Sequence, residues 1–261
     1  MINNYLNKIT PLILTYNEAP NIGRTLERLN WAERIVVIDS YSDDTTLEIL
    51  NQYRQVEVYQ RKFDNHTIQW NYGLAQINSE WVLSLDADYV LSEEMISELL
   101  SMFKTEKSEL LDGYFAQFRY CVSGKPLRAT LLPPRQVLFK KDKAIYIDDG
   151  HTQLLQVKGK SGTLKASINH DDRKSLSRWL WAQDRYMKIE SQKLLSTPAS
   201  QLSFGDRLRK QKVFAPIVVL LYCLILKGGI LDGWAGWYYA WQRMLAEILL
   251  AIRLIELEQN P

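Results

Sequence analysis

The chain has 261 residues, 46% hydrophobic and 24% charged; it is long enough to bury a full core, and its composition excludes wholesale disorder. Lys and Arg number 32 against 30 Asp and Glu, a net charge of +2 that excludes a protein built mainly to hold nucleic acid. Cys121 and Cys223 are too few and too far apart for a cysteine zinc site or a disulfide framework, and the polar stretch 1–8 lacks a signal-peptide core, so a cytoplasmic chain is expected.

Segments 11–15 (PLILT) and 34–39 (RIVVID) are short and rich in branched apolar residues, as buried strands of a parallel sheet are. Between them Ile22, Leu26 and Leu29 recur at helical spacing over 21–30. A second helical pattern covers 44–53, a third strand 56–59, and a further helix 68–77. The run 81–85 (WVLSL) reads as a fourth strand, ending in Asp86-Ala87-Asp88. This alternation predicts an α/β, Rossmann-like, mainly parallel sheet flanked by helices, with ligand groups at the carboxyl ends of its strands. Ser92 opens a helix over 92–104, with Glu93 and Glu94 near its positive end. Beyond 112, segments 113–122 and 136–140 read as strands and 174–195 as a long helix.

Asp86 and Asp88 fall on one side of an extended segment, so two carboxylates can converge. They repel unless a cation lies between or beside them, and a hard divalent ion with pyrophosphate oxygens in its remaining positions satisfies both. A solvated turn is the alternative. Polar clusters also follow the first strand (Thr15, Tyr16, Asn17, Glu18) and the second (Asp39 to Thr45). Ser42 or Asp43 is the better helix cap, which leaves Asp39 to accept hydrogen bonds from a base or ribose. No G-x-G-x-x-G loop and no G-K-[ST] loop is present, against a dinucleotide dehydrogenase or a P-loop enzyme.

The series PLILTYNE, VVIDSYSDDTTLEIL and WNYGLAQINSEWVLSLDAD resembles the nucleotide-sugar-binding half of family 2 glycosyltransferases, inverting enzymes with the GT-A fold, over about 9–90. A weaker similarity points to the branch of lipopolysaccharide core glucosyltransferases of the WaaE type. The resemblance implies a metal-dependent transfer from a nucleotide-sugar donor to a glycan or lipid-linked acceptor. It implies Thr15 and Glu18 lining the base and ribose pocket, Asp39 on the base, and Asn71 near the donor phosphates. It further implies Asp86 on the ribose or a metal-bound water and Asp88 directly on Mg²⁺ or Mn²⁺. Asn17, Ser42 and Ala87 complete the candidate donor-binding set. The family often has Gly where this chain has Tyr41, a basic residue at Trp70, and its related branch an acid at Tyr89.

Inversion needs a base opposite the leaving nucleotide. The family places an acid after the middle strands, which points to 148–152: Asp149 is favoured, with Asp148 and His151 as rivals and a plain turn as the alternative. His170 is a candidate added metal ligand, since imidazole suits Mn²⁺; a helix cap by Asp171 or Asp172 is the other account. His66 has no comparable neighbourhood, and Arg135 is either a phosphate clamp or solvated.

Residues 213–226 form an apolar segment shorter than the roughly 20 residues that span a bilayer. Arg207, Arg209, Lys210 and Lys212 precede it, Trp and Tyr residues follow to 241, and an amphipathic helix covers 245–257. That order predicts membrane-surface contact through 207–241 at the inner face of the cell membrane, with a buried hairpin or a dimer interface as alternatives. The expected organisation is a catalytic domain at 1–205, with a donor half at 9–90 and an acceptor half at 112–175, followed by an apolar helical region at 206–261. A nucleotidyltransferase and a non-catalytic sugar-nucleotide-binding membrane adaptor are the competing functions. The first lacks its Gly-rich basic loop at 15–22, and retention of Asp39, Asp86 and Asp88 speaks against the second.

Overall fold

The structure, a computed structural model, describes residues 3–148 and 153–259, which form two compact units. The first comprises Met1–Arg119 and Leu132–Asp172. It begins with α1 (Asn3–Leu6), β1 (Ile9–Thr15), α2 (Ile22–Glu27), β2 (Ile35–Asp39), α3 (Thr46–Leu50), β3 (Val56–Gln60), α4 (His66–Ala75) and β4 (Trp81–Asp86). Then come β5 (Tyr89–Leu91), α5 (Glu93–Lys104), β6 (Gly113–Val122), β8 (Arg135–Lys140), β9 (Ala144–Asp148), β10 (Gln153–Val157) and β11 (Ser161–His170), while β7 (Lys125–Pro126) and the last residues of β6 fall in the second unit. All five β2 residues are buried, as an apolar run covered on both faces requires.

The large sheet runs β3-β2-β1-β4-β8-β6-β11-β5, with β7 pairing the end of β6. Its first four strands are parallel; β8 then pairs antiparallel with β4, and β11 with β5. The sheet is the expected α/β sheet flanked by helices, parallel over its first four strands and mixed as a whole, because β8 and β11 run antiparallel to β4 and β5. The parallel half has one feature that decides where a ligand can sit. From β1 the chain proceeds outward through β2 and β3, then crosses back to β4 on the other side of β1. The strand order reverses between β1 and β4, and an open α/β sheet binds ligands in the crevice at such a point. Register aligns Thr15 with Asp39 and Leu14 with Asp86, so three strand ends share that edge.

The helices cover both faces of these strands. Gly73 lets α4 lie directly on the sheet, since a Cβ there would come 2.6 Å from Leu12 Cδ1. Ser92 caps α5 as expected, accepting from Met95 N at 3.1 Å. The other expected caps differ. Ser175, not Asp171 or Asp172, caps the following long helix, accepting from Arg178 N at 3.3 Å. Neither Ser42 nor Asp43 caps α3, whose first turn is held instead by Asp44, which accepts from Thr46 N at 2.9 Å.

The second unit comprises Tyr120–Leu131 and Arg173–Pro261. It contains α6 (Leu176–Ser196), α7 (Phe204–Lys210), α8 (Phe214–Leu221) with a π-helical turn Tyr222–Leu226, a 3₁₀ turn Gly229–Asp232, and α9 (Trp234–Gln259). The boundary thus falls near 172 rather than at 205, because α6 buries Leu194 against Leu250 and Leu254 of α9. The aromatic stretch and the amphipathic stretch, expected as separate pieces, form one helix, α9. A second cluster joins Leu127, Ala129, Cys223, Leu224, Ala235 and Tyr239; both cysteines are free and buried. Burial pushes the Tyr239 phenol up to about 12, although it donates to no carboxylate and approaches Leu131 N at 3.2 Å as an acceptor.

The expected basic belt is partly spent inside this unit. Arg209 pairs with Glu247 at 2.8 Å, and Lys212 pairs with Glu258. The apolar residues behave differently: Phe214, Ile217, Ile225, Leu226, Leu231 and Trp234 are all exposed. No helix among the described residues is long and apolar enough to cross a membrane.

Gly236 is the tightest point of α9, since a Cβ there would stand 1.8 Å from the carbonyl oxygen of Gly229. Backbone cannot rotate away as a side chain can. Gly236→Val is expected to destabilise by about 1–3 kcal/mol or more. Gly205→Ala in α7 meets nothing nearer than Ser203 Oγ at 3.8 Å and is expected to leave stability unchanged or raise it. Thermal unfolding of the two variants checks the contrast.

Candidate functional site

The crevice at the ends of β1, β2 and β4 is built from two polar networks, both within the first unit. The first is centred on Asp39, whose side chain is fully buried. Its carboxylate accepts from Thr15 Oγ1 (3.1 Å), Ser42 N (2.9 Å), Ser42 Oγ (2.6 Å) and Gln60 Nε2 (3.3 Å). An ionised carboxylate offers about four lone-pair sites, so these donors fill it. Asp39, the residue expected to accept from a base or ribose, organises the loops of the folded chain through these bonds. Ser42 Oγ also accepts from Asn17 N at 2.9 Å, and Asn17 and Asp43 exchange a reciprocal pair of bonds at 2.6 and 3.0 Å. Glu18 N donates to Thr46 Oγ1 at 2.8 Å, and its carboxylate accepts from Asn21 at 2.9 Å. The loops after β1 and β2 are thereby laced together.

The second network surrounds Asp86, Ala87 and Asp88. Asp86 ends β4, while residues 87 and 88 form a turn into β5, so the pair does not lie on one extended segment. A turn still keeps both carboxylates near one group. His170 Nε2 lies 3.0 Å from Asp88 Oδ2, and the Asp86 charge also acts on the same imidazole. Burial alone would depress the pKa of His170. The Asp88 charge and hydrogen bond, with Asp86 and Asp172 behind them, outweigh burial and hold it above the ordinary histidine value. The turn itself is pinned from three sides: Asp171 N donates to Asp88 O (3.0 Å), Thr25 Oγ1 to Ala87 O (2.7 Å), and Arg28 Nε to Leu91 O (2.9 Å).

Arg135 Nη1 lies 3.6 Å from Asp86 Oδ2 and donates to the Tyr89 hydroxyl at 3.0 Å, with the guanidinium half exposed. Tyr89 is buried against Phe118 and His170; burial and the Asp86 charge push its phenol well above the ordinary range. His66 is drawn in as well: desolvation lowers its pKa, opposed by the Asp86 charge. The sequence assigned no site role to Tyr89 or His66, although Tyr89 adjoins the acidic motif and was within reach of a local reading. Arg135, weighed there as a phosphate clamp or a solvated residue, stands beside Asp86 through the antiparallel pairing of β8 with β4, which no local pattern announces.

Asn71, expected near the donor phosphates, is engaged within the fold: its amide donates to Tyr146 O at 2.7 Å and accepts from Tyr146 N at 3.0 Å. Both ends of the amide are used in clamping β9, the first strand of the β9–β10 hairpin. Asp148, exposed, pairs with Gln153 as the last described residues of that hairpin. Asp149 and His151 lie outside the described residues. Among the described residues no three His, Cys, Asp or Glu groups gather as a ready metal cluster. The donor set of Asp86, Asp88 and His170, two carboxylates and an imidazole, nonetheless suits Mg²⁺ or Mn²⁺ in kind.

Asp39→Asn replaces an acceptor by a donor facing Ser42 N or Gln60. The mismatch is expected to cost about 1–3 kcal/mol, read as a lowered denaturation midpoint at unchanged slope.

The family model described as Glycosyl transferase family 2 matches residues 12–158, more than half of the chain. An uncharacterized glycosyltransferase of Rickettsia felis is 29% identical over 110 residues, which cover 42% of this chain and 38% of that protein. The poly(ribitol-phosphate) β-N-acetylglucosaminyltransferase TarP of Staphylococcus aureus is 26% identical over 131 residues, 46% of this chain and 38% of that one. The matched stretch therefore spans well under half the length of these curated relatives. Among solved structures, S. aureus TarS 1-349 in complex with UDP-GlcNAc aligns with a TM-score of 0.50 at 14% identity, over 97% of this chain and 92% of that chain, a likeness of fold.

Proposed function

Because the chain belongs to glycosyl transferase family 2, we propose that it is an inverting glycosyltransferase, moving a sugar from a nucleotide-sugar donor onto a glycan or lipid-linked acceptor of the cell envelope. The observation that carries this reading is the pinned turn of Asp86 and Asp88 beside the β1/β4 reversal, with His170 at 3.0 Å from Asp88. The similarity to TarP, which acts on poly(ribitol-phosphate), and to TarS, solved with UDP-GlcNAc, supports a nucleotide-sugar donor and a cell-envelope acceptor. The lipopolysaccharide-core branch is the narrower form of the proposal and rests on sequence resemblance alone.

In this mechanism Asp88 and His170, with Asp86, would hold Mg²⁺ or Mn²⁺. When bound, such a cation offsets charge developing on the departing diphosphate. Arg135, half exposed beside Asp86, adds a guanidinium that suits phosphate oxygens. The acceptor hydroxyl loses its proton to a base of the 148–152 segment, with the carboxylate of Asp149 favoured over that of Asp148 and over the imidazole of His151. Its oxygen attacks the anomeric carbon from the face opposite the nucleotide, and the carbon–oxygen bond to the diphosphate breaks. Asn71 serves this step at a distance, by fixing the hairpin that carries the base.

We further propose that the second unit rests on the inner face of the cell membrane through 207–241. The exposed apolar residues of α8, the turns after it and the start of α9 support this; with Arg209 and Lys212 engaged internally, apolar burial is its main driving force.

Thermal-shift measurement with UDP-, GDP-, ADP- and dTDP-sugars is expected to show one that stabilises in the presence of Mn²⁺, by mass action. Asp88→Asn is expected to lose this shift and to lower donor turnover by roughly 100-fold or more. If no sugar nucleotide stabilises the chain with or without Mn²⁺, the assignment fails. For the membrane, flotation with vesicles of phosphatidylethanolamine and phosphatidylglycerol is expected to carry the protein upward. Replacing Trp234, Trp237 and Trp241 together by Ser is expected to weaken partitioning by about tenfold or more. A wild-type chain that stays with the dense fraction removes the membrane proposal.

A further inference from the structure

Tyr41 occupies a conformation that a large side chain rarely adopts: its backbone φ is +59°, in the left-handed region. The cause lies on both sides of it. Ser40 N donates to Thr15 O at 3.0 Å, tying the preceding residue to β1. Ser42 donates through both N and Oγ to Asp39, at 2.9 and 2.6 Å, tying the following residue back to the end of β2. Between these two anchors the chain turns through a positive φ at Tyr41. Glycine meets that requirement without steric cost.

The fold makes no use of the ring that stands there. Tyr41 is 57% exposed, and it makes no hydrogen bond, ion pair or ring contact among the described residues. Strain of this kind persists where the surrounding structure over-determines it, and it concentrates at ligand clamps. Here the strained residue carries a flat, uncovered aromatic face at the end of β2. It borders the crevice where the strand order reverses, and Tyr16, one residue beyond the end of β1, is also exposed.

We propose that Tyr41 is a stacking platform for the nucleobase of the donor nucleotide. The proposal rests on the nucleotide-sugar reading given above and adds to it a residue and a manner of recognition. Every base has a π-face, so a stacked tyrosine contributes affinity without selecting one base. With the Asp39 carboxylate filled by its own chain, this contact supplies affinity for the nucleoside end of the donor, while Asp39 acts as a positioning residue that holds Tyr41 in place.

The test is calorimetric binding of UDP, GDP, ADP, dTDP and inorganic pyrophosphate, each with Mn²⁺, to the full chain and to Tyr41→Gly and Tyr41→Phe. Tyr41→Gly is expected to weaken whichever nucleotide binds by about tenfold, within the range measured for base–aromatic contacts. Pyrophosphate, which has no base, is expected to bind the Gly variant and the wild type equally. Tyr41→Phe is expected to bind all five as the wild type does. The melting temperature of ligand-free Tyr41→Gly is expected to equal or exceed that of the wild type, since the strain is relieved. Unchanged nucleotide affinity in Tyr41→Gly, or an equal loss for pyrophosphate, overturns the stacking role and leaves the nucleotide-sugar reading intact. A wild-type chain that binds none of the four nucleotides overturns both.

Discussion

Removing a carboxylate from water costs several kcal/mol unless hydrogen bonds replace the lost hydration. Asp39 is fully buried at the end of β2, and the groups that replace water are Thr15 from β1, Ser42 from its own loop and Gln60 from the end of β3. Three neighbouring parallel strands are therefore joined at the edge where their carboxyl ends meet. The remaining loop geometry follows: Ser42 receives Asn17 N, Asn17 engages Asp43, and Glu18 N reaches Thr46. An apolar residue at 39 would leave these donors without an acceptor.

The parallel half of the fold was legible because its signals are local. Buried strands with short helices between them identify themselves by run length and periodicity, and the acidic motif follows directly from an apolar strand. What escaped the sequence depends on partners far along the chain. Arg135 reaches Asp86 only because β8 lies antiparallel beside β4, and His170 reaches Asp88 only because β11 pairs with β5. His170 was nonetheless singled out, from the polar cluster around it. Asn71 shows the opposite case: its position in a resembling motif suggested a phosphate contact, while the fold uses both ends of its amide on Tyr146. Residue type was readable; the direction of the amide was not.

The two units differ in what their sequences could disclose. Hydrophobic order along 207–257 separated a basic, an apolar, an aromatic and an amphipathic part, yet α9 runs through the last two without a break. Close packing is the reason. Gly236 lets the start of α9 lie against the 3₁₀ turn at Gly229, while Leu250 and Leu254 further along bury against α6. Two different surfaces at the two ends of one helix give a mixed pattern, and a mixed pattern reads as two segments.

The positions of the two sulfur atoms carry a practical consequence. Cys121 and Cys223 are both buried, both fall in the second unit, and they are the only cysteines in the chain. Burial also raises the pKa of Cys223, so little thiolate is present while the unit stays closed. Alkylation by a maleimide or by iodoacetamide therefore keeps time with opening around two different places: Cys121 near the end of β6, a strand that begins in the first unit, and Cys223 in the core of the second. Of the two, Cys223 is the reporter seated among second-unit residues.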